Sequence, residues 1–333
     1  MDKSFCIAMS SETERRAHVT EQFEKAGLQL DFFDAIDGRK EIPPNVALHL
    51  NEYGRLVGHP SVIGCALSHL ALWQQILDEP GELFFVCESD VELVDNFKSK
   101  LKSCLAETDE PFDILYVGSR YFDPSNKSLM RSMYSRYMFR NDMTRKISST
   151  RYFPDFALAS HAYLITKEGA RQYLKALSGN VGLQIDFLMQ MVRGVRAQAV
   201  WPPLAKQHEE LNEKSSMFSS ASFPQCVNLS CNKSNENEFS PSYWLSCPIA
   251  AIGNQPINFW TSIFLALGTI FLYGGLSILL IVAIVVFLIM LDAYITMVAL
   301  DKIPAFDFAN LAWVMGLVIT PTLIYKFYRR MKR

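Results

Sequence analysis

The chain is short of net charge. Its 32 Lys and Arg stand against 34 Asp and Glu, a formal balance of −2. Nothing global therefore points to nucleic acid, whose phosphates call for a strongly basic face. The seven cysteines are odd in number and contain no Cys-x-x-Cys pair or zinc spacing. Cys6, Cys65 and Cys87 sit in apolar stretches and read as small core residues, so reduced thiols in a cytosolic compartment are expected. Met1-Asp2-Lys3 leads into only a short apolar stretch and then charge, so no signal peptide is expected. No internal repeat is visible. From Phe259 to Leu291 charge is missing altogether.

What is present is organised around Leu83-Phe84-Phe85-Val86-Cys87-Glu88-Ser89-Asp90. The apolar run has the make-up of a buried strand. Two carboxylates, Glu88 and Asp90, follow at its C-terminal end, where open α/β sheets bind ligands. Carboxylate oxygens suit a hard divalent cation, Mn²⁺ or Mg²⁺, and such a cation suits phosphate. A strand running into an acidic turn is the plainer alternative.

Before it, Phe5–Met9 reads as a strand. Ser11-Glu-Thr-Glu14 reads as a capping box opening a helix with Val19, Phe23 and Ala26 inward and Gly27 at its end. Leu30–Phe33 completes a βαβ unit. Residues 39–59 look irregular. Pro60-Ser61 opens a strong helix with Ile63, Leu67, Leu70 and Leu77 on one face. After the central strand come a helix (Val94 to Leu105), strands at Asp113–Val117 and Phe156–Thr166, helices at Lys167–Leu177 and from Gln184, and a last strand at Ala197–Trp201. Residues 120–151 are basic and aromatic, a stretch suited to an anionic acceptor or anionic lipid, or simply a solvated loop. The expected fold is α/β, a mixed and mainly parallel sheet flanked by helices. Its boundaries are 1–208 for the catalytic-type domain, 209–257 for a polar linker and 258–333 for a membrane region.

That last region is expected to hold two transmembrane helices, about 262–291 and 309–327. An uncharged helix from Phe259 to Leu291 would be about 50 Å long, against a hydrocarbon core of roughly 30 Å. The basic tail Lys326, Arg329, Arg330, Lys332 and Arg333 is expected inside. A multi-pass protein of the inner (cytoplasmic) membrane follows, with the N-terminal domain facing the cytoplasm.

In this order the motifs resemble glycosyltransferase family 25, the bacterial lipooligosaccharide galactosyltransferases and their collagen-modifying relatives. The matching stretches are Ser11-Glu-Thr-Glu-Arg-Arg16, Phe32-Phe-Asp-Ala-Ile-Asp-Gly38 and, most specifically, Ile63-Gly-Cys-Ala-Leu-Ser-His-Leu-Ala-Leu-Trp73. They continue with Phe85-Val-Cys-Glu-Ser-Asp-Val91, Ser160-His-Ala-Tyr-Leu-Ile-Thr166, Gly169-Ala170 and Ile185-Asp186. The resemblance covers residues 3–208 and implies a GT-A-type fold, a UDP-sugar donor (often UDP-galactose) and an inverting transfer that uses Mn²⁺. Where the family reads Glu-Asp-Asp, this chain has Glu88-Ser89-Asp90. The missing middle carboxylate would weaken metal binding or alter donor choice.

On that resemblance, Asp90 and Glu88 are expected to hold the metal, with His208 completing the shell. Asp186 is expected to be the general base, or alternatively a helix-start carboxylate. Arg15, Ser68, His69, Glu88 and His161 are expected at the donor. Expected partners are the nucleotide sugar, a lipid-linked or surface glycan acceptor and membrane lipid, with no nucleic acid. Two competing readings remain. One is a degenerate, non-catalytic module that binds a sugar or a partner at the membrane. The other is a membrane protein whose spans carry the function, against which few polar residues interrupt those spans.

Overall fold

The structure is a computed structural model. It describes residues 1–56, 58–120, 122–125, 135–136, 139, 144–208 and 211, and beyond these short stretches that include 227–228, 248–252, 255–258 and 305–306. Two compact units divide the chain, Met1–Asn212 and Glu213–Arg333.

In the first unit an eight-stranded sheet has the order β2-β1-β3-β8-β5-β9-β7-β6. Its strands are β1 (Lys3–Ala8), β2 (Asp31–Asp34), β3 (Leu83–Glu88), β5 (Ile114–Arg120), β6 (Arg145–Lys146), β7 (Arg151–Phe153), β8 (Leu158–Thr166) and β9 (Ala197–Val200). Strands β7 and β8 run against the others. The C-terminal ends of β1, β3, β5 and β9 and the start of β8 therefore share one edge.

Both faces of the sheet are covered, which is why its strands are apolar without alternation. Phe5, Phe84, Val86, Tyr116 and Tyr163 point into one core with residues of α4 (Pro60–Asp78), α6 (Lys167–Ala176) and α7 (Ile185–Met191). Cys6, Phe85, Cys87, Leu115 and Leu164 point into the other, against α1 (Thr13–Ala26) and α5 (Phe97–Ala106). Proline at the first position of α4 lacks only an amide that would have had no helical partner.

The local expectations hold for α1, α4, β3 and the later elements, with several corrections. Helix α1 begins at Thr13, one residue later than a Ser11 cap would place it, and its N-cap Glu12 makes no side-chain capping bond. The stretch taken as irregular holds two short helices, α2 (Pro44–Ala47) and α3 (Glu52–Leu56). Beyond β3, two further strands, β4 (Val91–Leu93) and β10 (Ala205–Gln207), pair antiparallel as a separate ribbon.

The basic stretch is corrected at its described end. Arg151 is buried within the protein: its guanidinium donates to Gln198 Oε1 (2.8 Å from Nε) and to the carbonyls of Thr108 (3.1 Å) and Glu110 (2.8 Å). Arg145 and Lys146 lie over the rings of Phe153 and Tyr152. Much of 120–143 lies outside the described residues.

The multi-pass membrane expectation is overturned. Among the described residues no helix is long and apolar enough to cross a membrane. An uncharged composition is not sufficient for a span, which also needs about 20 residues of continuous helix. The two segments named for spans, 262–291 and 309–327, lie almost wholly outside the described residues. In the second unit, Pro248–Ile252 pairs antiparallel with Gln255–Asn258, and Val227–Asn228 with Ala305–Phe306. The first of these pairs falls at the end of the stretch expected to be a polar linker.

Candidate active site

Strand alternation decides where the acidic motif points. Phe84 and Val86 face α4, and Glu88 continues that side. The strand ends at Glu88, and Ser89-Asp90 form a turn. The i, i+2 rule that would put both carboxylates on one face lapses there. Glu88 joins groups from α4 and β8, whereas Asp90 joins groups from α1 and β10.

On the α4 side, Glu88 Oε1 accepts from the Ser160 hydroxyl at 2.6 Å and stands 3.5 Å from His69 Nε2. The other nitrogen of His69 is 2.8 Å from the Tyr163 hydroxyl, which also accepts from Trp73 Nε1 at 2.9 Å. His69, Trp73 and Tyr163 are fully buried, while the Glu88 side chain is 24% exposed. Burial would raise the Glu88 carboxyl. The His69 ring, the Ser160 hydroxyl and the charge of His161 outweigh it and hold Glu88 below the usual carboxylate range. Cys65 lies one turn before His69 on the same face of α4. Burial pushes its thiol well up, and the charges of Glu88, Asp186 and Asp90 act in the same sense.

On the α1 side, Arg15 donates to Ser89 Oγ at 3.0 Å and to the carbonyl of Leu211 at 2.5 Å, and its Nη1 is 4.0 Å from Asp90 Oδ2. Asp90 also accepts from Gln207 Nε2 at 3.3 Å. The backbone N–H of His208 donates to the Asp90 carbonyl at 2.7 Å, extending the β4–β10 ribbon. The His208 ring meets His18 edge-on, with centroids 4.8 Å apart, and its Nδ1 accepts from Leu211 N at 3.4 Å. Arg16, by contrast, is tied to the ends of β1 and β2 through the carbonyls of Ala8 and Met9 and the carboxylate of Asp34.

Asp186, in the first turn of α7, accepts from Ala159 N at 3.0 Å and from Phe187 N at 2.8 Å. Burial, helped by the charge of Glu88, pushes its carboxyl up against the lowering effect of those two bonds. Ala159 adopts a left-handed backbone, φ +68, rare for a residue with a Cβ. It sits where β8 slips register against β5, between Asp186 and the Ser160 that binds Glu88. Strain of this kind persists only where neighbours over-determine it.

Ser68 and His161 have positions of another sort. Ser68 is fully buried; its hydroxyl accepts from Ile36 N at 2.8 Å and donates to Gly64 O at 2.7 Å. It staples the 34–38 loop onto α4, a contact so close that a Cβ on Gly64 would stand 2.5 Å from Ile36 O. His161 is buried at the floor of the site, where a Cβ on Gly118 would meet its Nε2 at 2.5 Å.

Of the expected residues, then, His69, Glu88 and Asp186 gather on one side of the β3 end, and Arg15, Asp90 and His208 on the other, while a Cβ on Gly118 would meet both the His161 ring and the Ala205 carbonyl of β10. Sequence reasoning missed Cys65, Ser160, Tyr163 and Gln207. Cys65, Ser160 and Tyr163 lie in the stretches that carry the family resemblance, whereas nothing in the sequence marks Gln207.

A hard cation held jointly by Asp90, Glu88 and His208 does not fit this arrangement. Their donor atoms form no converging group among the described residues, and the Arg15 guanidinium already faces Asp90 at 4.0 Å. Among the described residues, the one group of three or more metal-ligating side chains with converging donor atoms is Cys65, His69 and Glu88.

The two-sided α/β sheet thus carries three acids, Glu88, Asp90 and Asp186, near the edge at which open α/β sheets bind ligands. Residues 1–189 match glycosyltransferase family 25 (LPS biosynthesis protein), and the chain belongs to that family. A putative glycosyltransferase of Haemophilus influenzae is 33% identical over 101 residues, 30% of this chain and 36% of its own length. The lacto-N-neotetraose biosynthesis glycosyltransferase LgtE of Neisseria gonorrhoeae is 28% identical over 177 residues, 50% of this chain and 58% of its own. A probable inactive glycosyltransferase 25 family member 3 of Bos taurus is 22% identical over 143 residues, 40% of this chain and 24% of its own. The chain thus spans under two thirds of these relatives.

Proposed function

We propose that this chain transfers a hexose, galactose by preference, from a UDP-sugar to a glycan acceptor of the lipooligosaccharide kind, with inversion. The observation that carries the reading lies inside the family-matched segment. Glu88 and Asp186 are neighbouring carboxyls whose surroundings push their proton affinities apart, Glu88 down and Asp186 up. Such a split assigns different roles to two acids. Asp186, the more basic, takes the proton of the acceptor hydroxyl as it attacks the anomeric carbon. Glu88 stays ionised and, with its Ser160 and His69 partners, orients the sugar. Arg15 supplies fixed positive charge toward the diphosphate that leaves. The GT-A-type reading of the fold and the acceptor class rest on family membership. The LgtE likeness supports the acceptor class further.

Side chains alone are assigned to the transfer, since Asp90, Glu88 and His208 do not bring their donor atoms together for Mn²⁺ or Mg²⁺. The second reading, a sugar-binding module without turnover, is favoured by Ser89 in the place of a family carboxylate and by the inactive bovine relative. Incubation of the purified full chain with a UDP-sugar panel and an oligosaccharide acceptor, with and without Mn²⁺, separates the two. Acceptor-dependent UDP release that falls a hundredfold or more in Asp186→Asn supports transfer. Donor binding without release from any acceptor supports the module. Release unchanged in Asp186→Asn removes that residue as the base.

A further inference from the structure

We propose that Cys65, His69 and Glu88 form a binding site for a borderline-soft divalent cation of the Zn²⁺ class, separate from the Asp90–Arg15 side of the cleft. Their donor atoms, one sulfur, one nitrogen and one carboxylate oxygen, all lie within 4.8 Å of one another. A tetrahedral ion with ligands at 2.0–2.3 Å needs donor separations of about 3.3–3.8 Å. The His69–Glu88 pair, at 3.5 Å, already meets this, and the 4.8 Å limit leaves about 1 Å or more to close for the rest.

Three further observations point the same way. His69 Nε2 is buried and makes no hydrogen bond, an unusual state for a polar atom in a fully buried side chain. Its other nitrogen is held by Tyr163, itself anchored by Trp73. Without an ion, Nε2 faces Glu88 Oε1 at 3.5 Å; with an ion at the cluster, Nδ1 carries the ring proton toward the Tyr163 oxygen and Nε2 offers its lone pair to the metal. This is the outer-shell arrangement that fixes a ligating histidine. Finally, Cys65 and Glu88 are each partly exposed, so an ion has a way in.

The donor set selects the metal. Thiolate and imidazole favour Zn²⁺ over Mg²⁺ or Mn²⁺, and three protein ligands leave a fourth position for water or a ligand oxygen. Binding exchanges the thiol proton for the ion, with the proton released to solvent. The proposal stands whether or not the chain transfers sugar.

Co²⁺ is the probe. Added to the reduced, chelator-stripped full chain, it is expected to give tetrahedral d–d bands and a thiolate-to-cobalt charge-transfer band, both displaced by Zn²⁺. Cys65→Ser should lose the charge-transfer band and at least tenfold in affinity, while Cys226→Ser keeps both. Should Cys65→Ser fail to fold, the wild-type chain answers alone: Co²⁺ must slow alkylation of Cys65, read by peptide mass spectrometry. Absence of a charge-transfer band from folded wild-type protein overturns the site. So does Co²⁺ binding that survives Cys65→Ser and vanishes in Asp90→Asn, or Cys65 alkylation that Co²⁺ leaves unchanged.

Discussion

The Tyr163 hydroxyl lies 2.8 Å from Nδ1 of His69, deep between α4 and β8. This single bond decides which nitrogen of a buried ring faces Glu88. Tyr163→Phe keeps the ring's volume and removes that bond together with the acceptor for Trp73 N–H. Leaving buried polar groups unpaired costs about 1–3 kcal/mol each. The expected result is a lower urea midpoint with an unchanged m-value, and weakened turnover or donor binding. An unaltered midpoint would show that the two groups find other partners.

Ser68 predicts an effect at a distance. Ser68→Ala leaves Ile36 N–H without its acceptor and frees the 34–38 loop from α4. A loss of about 1–3 kcal/mol is expected in chemical denaturation. Gly64→Ala should cost more, because its Cβ would stand 2.5 Å from Ile36 O, a backbone atom that cannot move alone.

Asp113 should contribute to acid sensitivity. Its carboxylate is buried and bonded to the backbone N–H of Arg196 at 2.8 Å and to its guanidinium, Nε at 3.0 Å. Burial raises the carboxyl, but Arg196 more than offsets it, and the net shift is downward from 3.8. A depressed folded value means stabilisation present above the unfolded value and lost as pH falls through the folded one. Asp113→Asn should therefore be destabilised by about 1–3 kcal/mol at neutral pH, because the Arg196 side chain is half exposed and its charge is screened by solvent. The gap to wild type should shrink as pH drops below 3.8. A gap that stays constant with pH would mean that the pair's charge contributes nothing.

Arg151→Lys separates a structural cation from an anion-binding one. A lysine cannot reach Gln198 Oε1 and the Thr108 and Glu110 carbonyls together, since it lacks the planar fork. Expected are a Tm several degrees lower and an unchanged KM for the acceptor. A raised KM at unchanged Tm would return Arg151 to the acceptor site.

Long, strongly patterned elements were legible in the chain. Ile63, Leu67 and Leu70 announced α4 through their spacing, and Leu83–Cys87 announced a strand too apolar to face water. The three-residue strands β4 and β10 carry too few residues for any period. They exist because they pair with each other across more than a hundred positions of sequence. At the site, Glu88 and Asp90 were recognisable as an acidic pair, but their separate sets of partners depend on β3 ending at Glu88, which composition does not reveal. Cys65 was hidden by its surroundings, since a thiol within an apolar helix is most simply a small core residue. Tyr163 and Ser160 became visible only when β8 was laid against β3.

Strand β9 lies between β5 and β7, inside the sheet, although it comes after the family-matched segment ends at residue 189. A ribosome releasing the first 190 residues would therefore release a sheet with its interior edge open. Exposed β5 amides and carbonyls would wait for Ala197–Val200 to arrive. Closing that edge brings in β10, whose pairing with β4 sets the backbone around Asp90. Synthesis thus delays assembly of this side of the cleft until the strand that completes the sheet has emerged.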